Sequence, residues 1–424
     1  MSGERRICIE GGHPLAGTVR ISGAKNAVLP ILAASLMAKG SCRITDVPNL
    51  TDVRVMLEVL SNLGAQVHWD EGTLVIDATE ARTDEISADL MRRMRASNLV
   101  LGPLLSRFRR VKLSHPGGCS IGSRPMDLHL KGLQNMGARF EERFGYFEVE
   151  AERLQGADIH LDFPSVGATE NLMMAACLAK GTTVIRNAAK EPEIIDLQNF
   201  LNALGARVRG AGLDVIRIDG VSELGGGKHQ VIPDRIEAGT FMVAAAITEG
   251  DVRITNVIPE HVEPVTAKLR EAGVIVQEEN DAIRVIGTKE RQGIDLKTMP
   301  YPGFPTDMQA QMMAFLSIGQ GTSVISETIF ENRFKHVDEL RRMGANIRLE
   351  GRVAIVKGVP SLSGAVVEAT DLRAGSALIL AGLCAENGTT VERIHHIERG
   401  YERLVDKLSI LGAQIRLEET IFSQ

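Results

Sequence analysis

Residues 203–208 read ALGARV, and five near-copies of that phrase occur elsewhere: NLGAQV at 62–67, NMGARF at 135–140, EAGVIV at 271–276, RMGANI at 342–347 and ILGAQI at 410–415. Their glycines are Gly64, Gly137, Gly205, Gly273, Gly344 and Gly412, spaced 73, 68, 68, 71 and 68 residues apart. A fixed period of this length is the mark of a repeated supersecondary unit, so the chain is read as six units of about 70 residues. A second phrase has the same period. LMAKGSCRI, CLAKGTTVI, AITEGDVRI, SIGQGTSVI and CAENGTTVE carry Gly40, Gly181, Gly250, Gly321 and Gly388, each 23 or 24 residues before its partner glycine.

Each unit reads strand, helix, strand, helix, strand. The first helix is apolar almost all round, as in Ile31-Leu32-Ala33-Ala34 or Met173-Met174-Ala175-Ala176, which predicts burial. The glycine after it is read as a left-handed C-cap. The second helix is amphipathic: in VRVMLEVLSNLG from Val53, residues Val53, Met56, Leu57, Leu60 and Leu63 form one stripe. Helices inside and strands outside is the architecture these patterns predict, an α/β fold of repeated units. Unit two differs. Its buried helix, about Ala96 to Arg107, is followed by the insertion HPGGCSIGSRP from His115 to Pro125. A long Gly-rich loop within a compact repeat is read as functional.

Composition bounds the function. The chain has 424 residues, 24% charged and 44% hydrophobic, with a formal net charge of −6. Two or three domains are expected, and a nucleic-acid footprint across the surface is not. Cys8, Cys42, Cys119, Cys177 and Cys384 are odd in number and form no CxxC, so neither a disulfide framework nor a structural metal site is expected. MSGERRICIEGG lacks the apolar core of a signal peptide. The apolar run from Ala27 to Ala38 is too short to span a bilayer. The expected address is the cytoplasm.

Polar residues gather where the buried helices open: Lys25 and Asn26, Arg95, Ser165 to Asn171, Asp234 with Arg235 and Glu237, Asp307, and Asp371 with Arg373. Helix N-termini attract anions through free N–H groups and dipoles. With Lys25, Arg95, Arg124, Arg373 and Arg399 added, the expected ligands carry several phosphates or carboxylates. Asp234 and Asp371 are equally readable as N-caps, and Asp307 as first-turn dipole compensation. Four of the cysteines sit in strand or buried-helix patterns and read as small buried hydrophobes. Cys119 follows two glycines and precedes Arg124 by five residues, a setting in which a thiol ionises and reacts.

AKNA at Lys25, MRAS at Arg95, PGGCSIGSRPMDLHL around Cys119, PTDMQAQ at Asp307, ENRF at Glu331, ATDLRAGSAL at Asp371 and ERGYERL at Arg399 together resemble the enolpyruvate transferase family, from about Gly11 to Gln414. The resemblance is to the branch that uses UDP-N-acetylglucosamine. It implies a two-domain inside-out α/β barrel, with residues 22–232 as one domain and 1–21 plus 233–424 as the other, and substrates bound between them. It implies transfer of the enolpyruvyl group of phosphoenolpyruvate to the 3′-hydroxyl of UDP-N-acetylglucosamine with release of phosphate, the first committed step toward peptidoglycan. By this resemblance Cys119 is the general acid and forms a covalent phosphoenolpyruvate adduct, and Asp307 is the base. Lys25, Arg124 and Arg399 clamp phosphoenolpyruvate. Asn26 and Arg95 also contact substrate. Arg124, Pro125, Met126, Asp127, Leu128, Ser165, Val166 and Ile329 contact the UDP-sugar, and Asp371 and Arg373 tie the domains on closure. Glu191 and Asp234 match acidic positions of the family. Phe163-Pro164 stands where some members carry a lysine. No cofactor or metal, a Cys loop that closes over the sugar nucleotide, fosfomycin sensitivity at Cys119 and a monomer complete the expectation. The rival readings are a shikimate-type transferase, against which the Cys119 loop weighs; an RNA-processing relative, against which net charge and scarce aromatics weigh; and a non-catalytic regulatory paralogue, which would have lost Lys25, Cys119, Asp307 or Arg399.

Overall fold

A computed structural model describes residues 4–82, 90, 97–114, 126–143 and 146–420. These fall into two compact units, one built from the chain up to Ser22 and from Pro233 onward, the other from Gly23 to Ile232. In the Gly23–Ile232 unit the buried helices are Lys25–Ala34, Leu101–Phe108 and Val166–Cys177. In the other they are Arg235–Ile247, Gln309–Leu316 and Leu372–Cys384, which pack on one another. In Arg235–Ile247 every residue after Arg235 is buried. Alanine and glycine help make that possible, because small side chains let helix backbones approach. At Gly102, in Leu101–Phe108, a Cβ would lie 2.3 Å from the Asn171 carbonyl oxygen of the neighbouring helix.

Sheets cover these helices. Their strands alternate as expected of one buried face: in Asp251–Thr255 the buried residues are Val252 and Ile254. The last strand of a unit is generally doubled into an antiparallel hairpin, such as Gln66–Asp70 with Thr73–Asp77, where the sequence pattern showed one strand. Two strands serve sheets far from them in sequence. Ala16–Arg20 pairs in parallel with Asp251–Thr255, and Leu224–Gln230 pairs in parallel with Ala38–Thr45. The first strand, Glu4–Glu10, lies between Gly388–Glu392 and Gln414–Thr420, antiparallel to both.

The repeat glycines divide into two kinds. Gly64, Gly137, Gly205, Gly273, Gly344 and Gly412 all have φ between +90° and +99°, the left-handed region that glycine enters without steric cost. The other set corrects the C-cap expectation. Gly181 and Gly321 have positive φ, but Gly40 (φ +121°) lies inside the strand Ala38–Thr45. Before Gly250 and Gly388 the left-handed residue is Glu249 or Asn387 instead. Gly250 is held by space: its Cβ would sit 2.2 Å from the Leu15 carbonyl oxygen. Unit two's buried helix also starts later than read, at Leu101, after a 3-10 turn Ser97–Val100. Among the described residues, no helix is long and apolar enough to cross a membrane.

Candidate active site

The buried helix Gln309–Leu316 is entered through a 3-10 turn, Thr306–Met308, and Asp307 is its middle residue. The carboxylate is gripped on both oxygens. Arg333 Nη2 donates to Oδ1 at 2.8 Å and Arg373 Nη2 to Oδ2 at 3.1 Å. Asp307 keeps 25% of its side-chain surface exposed, while Arg333 and Arg373 keep 3% and 4%. Burial opposes the charge on Arg373, yet Tyr401, Asp307 and Asp234 hold its pKa above the ordinary arginine value. Two buried guanidiniums thus face one partly exposed carboxylate at this site. An anion entering it is met by donors already desolvated, where charge-assisted hydrogen bonds are strongest.

A buried carboxylate sets the position of this turn. Glu327 Oε2 accepts from Thr306 Oγ1 at 2.9 Å, and Oε1 accepts from the Ile329 and Phe330 amides at 2.8 and 3.1 Å. Asp307 and Ile329 are thus fixed from one side chain. His336 is also buried here. Burial pushes its imidazole down to about 4, with Asp371 pulling it up and Arg333 down, so it stays neutral at pH 7. Arg399 ends the 3-10 turn Ile394–Arg399 and is half-buried.

In the Gly23–Ile232 unit Lys25 is the first residue of Lys25–Ala34, whose N-cap Ala24 offers no side-chain bond. Its ammonium lies 2.8 Å from Asp52 Oδ2, and both side chains are nearly buried. Asn26 follows. Pro30 sits inside this helix and has no N–H for the Asn26 carbonyl four residues back. Met126 is the N-cap of Asp127–Asn135, with Asp127 exposed and Leu128 half-buried. Arg95, Cys119, Arg124 and Pro125 lie outside the described residues, as does the Gly-rich insertion.

Ser165, Asp234 and Asp371 act as N-caps. Ser165 Oγ accepts from the Ala168 amide at 3.3 Å, and Val166 opens the helix behind it. Asp234 Oδ1 accepts from Ile236 and Glu237 amides at 2.8 and 3.0 Å, and Asp371 Oδ1 from Arg373 and Ala374 amides at 2.9 and 3.0 Å. Glu191 is the N-cap residue of Pro192–Ala203. Sequence reasoning passed over Arg333, Glu327 and Asp52. Arg333 lies in the quoted ENRF phrase, which was a usable signal; the other two had none. Burial raises the thiols of Cys42 to about 11 and of Cys177 and Cys384 to about 12, which keeps them protonated and unreactive. Cys8 and Cys384 are half-buried rather than fully buried.

The chain belongs to the EPSP synthase (3-phosphoshikimate 1-carboxyvinyltransferase) family, whose model matches residues 9–408. It is a transferase of that fold. Among curated relatives it is 61% identical to UDP-N-acetylglucosamine 1-carboxyvinyltransferase 1 of Symbiobacterium thermophilum, over 97% of this chain and 94% of that one. It is 57% identical to the protein of the same name from Carboxydothermus hydrogenoformans, over 97% and 98%. Among solved structures, the enolpyruvyl transferase NikO from Streptomyces tendae superposes with a TM-score of 0.89 at 28% identity, covering 99% of this chain and all of that one.

Proposed function

We propose that the protein transfers the enolpyruvyl group of phosphoenolpyruvate to the 3′-hydroxyl of UDP-N-acetylglucosamine, releasing phosphate, and so supplies peptidoglycan synthesis and, through it, cell shape and division. The observation that carries this reading is the Asp307 carboxylate held between Arg333 and Arg373 at the mouth of a buried helix. The name shared by the 57–61% identical relatives supports the sugar nucleotide over shikimate as acceptor.

The chemistry needs an acid and a base. Protonation of the methylene carbon of phosphoenolpyruvate makes C2 electrophilic. The sugar hydroxyl attacks C2 as it loses its proton, giving a tetrahedral ketal. Loss of a proton from the new methyl group and departure of phosphate restore the double bond. Cys119 is the acid, and its sulfur also adds covalently to phosphoenolpyruvate. Asp307 takes the hydroxyl proton. A carboxylate oxygen carries two lone pairs, so an oxygen bonded to one guanidinium can still accept that proton. Lys25, Arg124 and Arg399 stabilise the phosphate and carboxylate charges. Nothing is oxidised or reduced, and the reaction runs without cofactor or metal. Four unbridged cysteines among the described residues support a reducing cytoplasmic address, and we infer a monomer.

The test is phosphate release from phosphoenolpyruvate, with and without UDP-N-acetylglucosamine, before and after fosfomycin. Release that requires the sugar nucleotide and stops after alkylation of Cys119 is the expected result. Release with another hydroxyl acceptor but not this one would discard the cell-wall assignment. Full release after fosfomycin treatment would discard Cys119.

A further inference from the structure

Tyr401, two residues beyond Arg399, is 3% exposed. Its hydroxyl stands where three buried helices meet. It accepts from Gln311 Nε2 at 3.2 Å, donates to Ser376 Oγ at 3.1 Å and lies 2.9 Å from Thr240 Oγ1. Two of these partners lead back to the site. Gln311 Nε2 also donates to the Asp307 carbonyl at 2.9 Å, and Ser376 Oγ donates to the Arg373 carbonyl at 2.9 Å. The phenol ring faces the Arg373 guanidinium, with Cζ 5.3 Å from the ring centroid. That guanidinium donates to Asp307. The contacts close a circuit from the Tyr401 hydroxyl through Gln311 to Asp307, across the ion pair to Arg373, and back through Ser376.

We propose that Tyr401 is a positioning residue for enolpyruvyl transfer: its hydroxyl fixes the backbones of Asp307 and Arg373 while its ring holds the Arg373 guanidinium against the carboxylate. The proposal rests on the functional reading above. A core at this point requires only a ring, and phenylalanine would fill it. A hydroxyl here brings three polar partners into a low-dielectric interior, where each hydrogen bond is stronger than in water. Thr240 and Ser376 each keep a carbonyl acceptor, at Ile236 and Arg373. Tyr401→Phe therefore leaves no hydroxyl proton unsatisfied and is expected to fold.

The experiment is steady-state phosphate release by the full-length protein, wild type against Tyr401→Phe and Tyr401→Leu, varying each substrate in turn, with Tm recorded. Tyr401→Phe should raise the KM for phosphoenolpyruvate about tenfold, the worth of one hydrogen bond, and leave the KM for UDP-N-acetylglucosamine within about twofold. Tyr401→Leu, which also loses the ring contact, should lose about a further tenfold in kcat/KM. Ser376→Ala opens the circuit from the other side with Tyr401 in place, and should reproduce the phosphoenolpyruvate effect even if Tyr401→Phe fails to fold. Unchanged kinetics in the folded variants, or equal rises in both KM values, would overturn the positioning role whatever happens to Tm. A wild-type protein that releases no phosphate overturns the functional reading and this proposal with it.

Discussion

The buried helices begin in two ways. Val166–Cys177, Arg235–Ile247 and Leu372–Cys384 start on Ser165, Asp234 and Asp371, whose side chains bond to amides of their own first turn. Lys25–Ala34 starts on Ala24, and the turn leading into Gln309–Leu316 starts on Pro305, neither of which makes a side-chain cap. These uncapped starts bear Lys25 and Asp307, which reach away from their own backbone to Asp52 and to Arg333 with Arg373. A polar residue at a helix start therefore means different things by its partner. Bound to its own amides it serves the helix; paired with a buried opposite charge it is, under the proposed function, available for exchange with a ligand. Ion pairs of the second kind contribute little net stability, because desolvation offsets attraction. Their value lies in charges held ready.

That division can be broken by experiment. The largest effect belongs to Asp307→Asn, which keeps the size and one acceptor oxygen but cannot take a proton. Phosphate release should fall about a thousandfold, as for loss of a general base; a fall of less than about threefold would remove Asp307 from the chemistry. Next comes His129, buried against the first turn of the helix that Ser165 caps, where a Cβ on Gly167 would lie 3.3 Å from His129 Cε1. Burial pushes this imidazole down to about 4 from 6.5. The folded state thus binds fewer protons than the unfolded one between those values. Stability present above pH 6.5 is lost as pH falls toward 4, by about 3 kcal/mol. Urea midpoints across that range should slope less in His129→Gln than in wild type, and parallel slopes would refute the assignment. The smallest effect is expected for Asp234→Ala: about 1 kcal/mol of stability, read as a Tm about 2–4 °C lower, with turnover intact. A thousandfold loss of turnover there, at constant Tm, would move Asp234 to the reactive kind and dissolve the distinction.

Much of this was legible in the sequence because the repeat is local chemistry. Gly64 and its five counterparts sit where the chain must take positive φ after a helix, and only glycine does so freely. The apolar helices are legible as buried because nothing on them faces water. Pairing between distant segments was not. Ala16–Arg20 buries only Val19, and nothing in its side chains says that its neighbour is Asp251–Thr255. The same holds for the site. Asp307, Arg333 and Arg373 stand in motifs that resemblance could read, but Asp52 and Glu327 are recognisable only by their tertiary contacts. Asp234 and Asp371 kept two meanings until their hydrogen bonds were seen.

The placement of Glu4–Glu10 between Gly388–Glu392 and Gln414–Thr420 has a consequence for how the protein is made. Glu4 pairs with Thr420, so a strand among the earliest to leave a ribosome waits for nearly the whole chain before it finds either neighbour. At synthesis rates of roughly 5–20 residues per second, that wait lasts tens of seconds. The intervening Gly23–Ile232 unit carries all the strands of its own sheets and is free to fold during it. For most of the 192 residues made after Ile232 (424 − 232) the nascent protein holds one body able to fold and one strand still unpaired, and unpaired strand edges are where chains cross-pair. Chaperone dependence in the cell should track that interval rather than the stability of the finished fold.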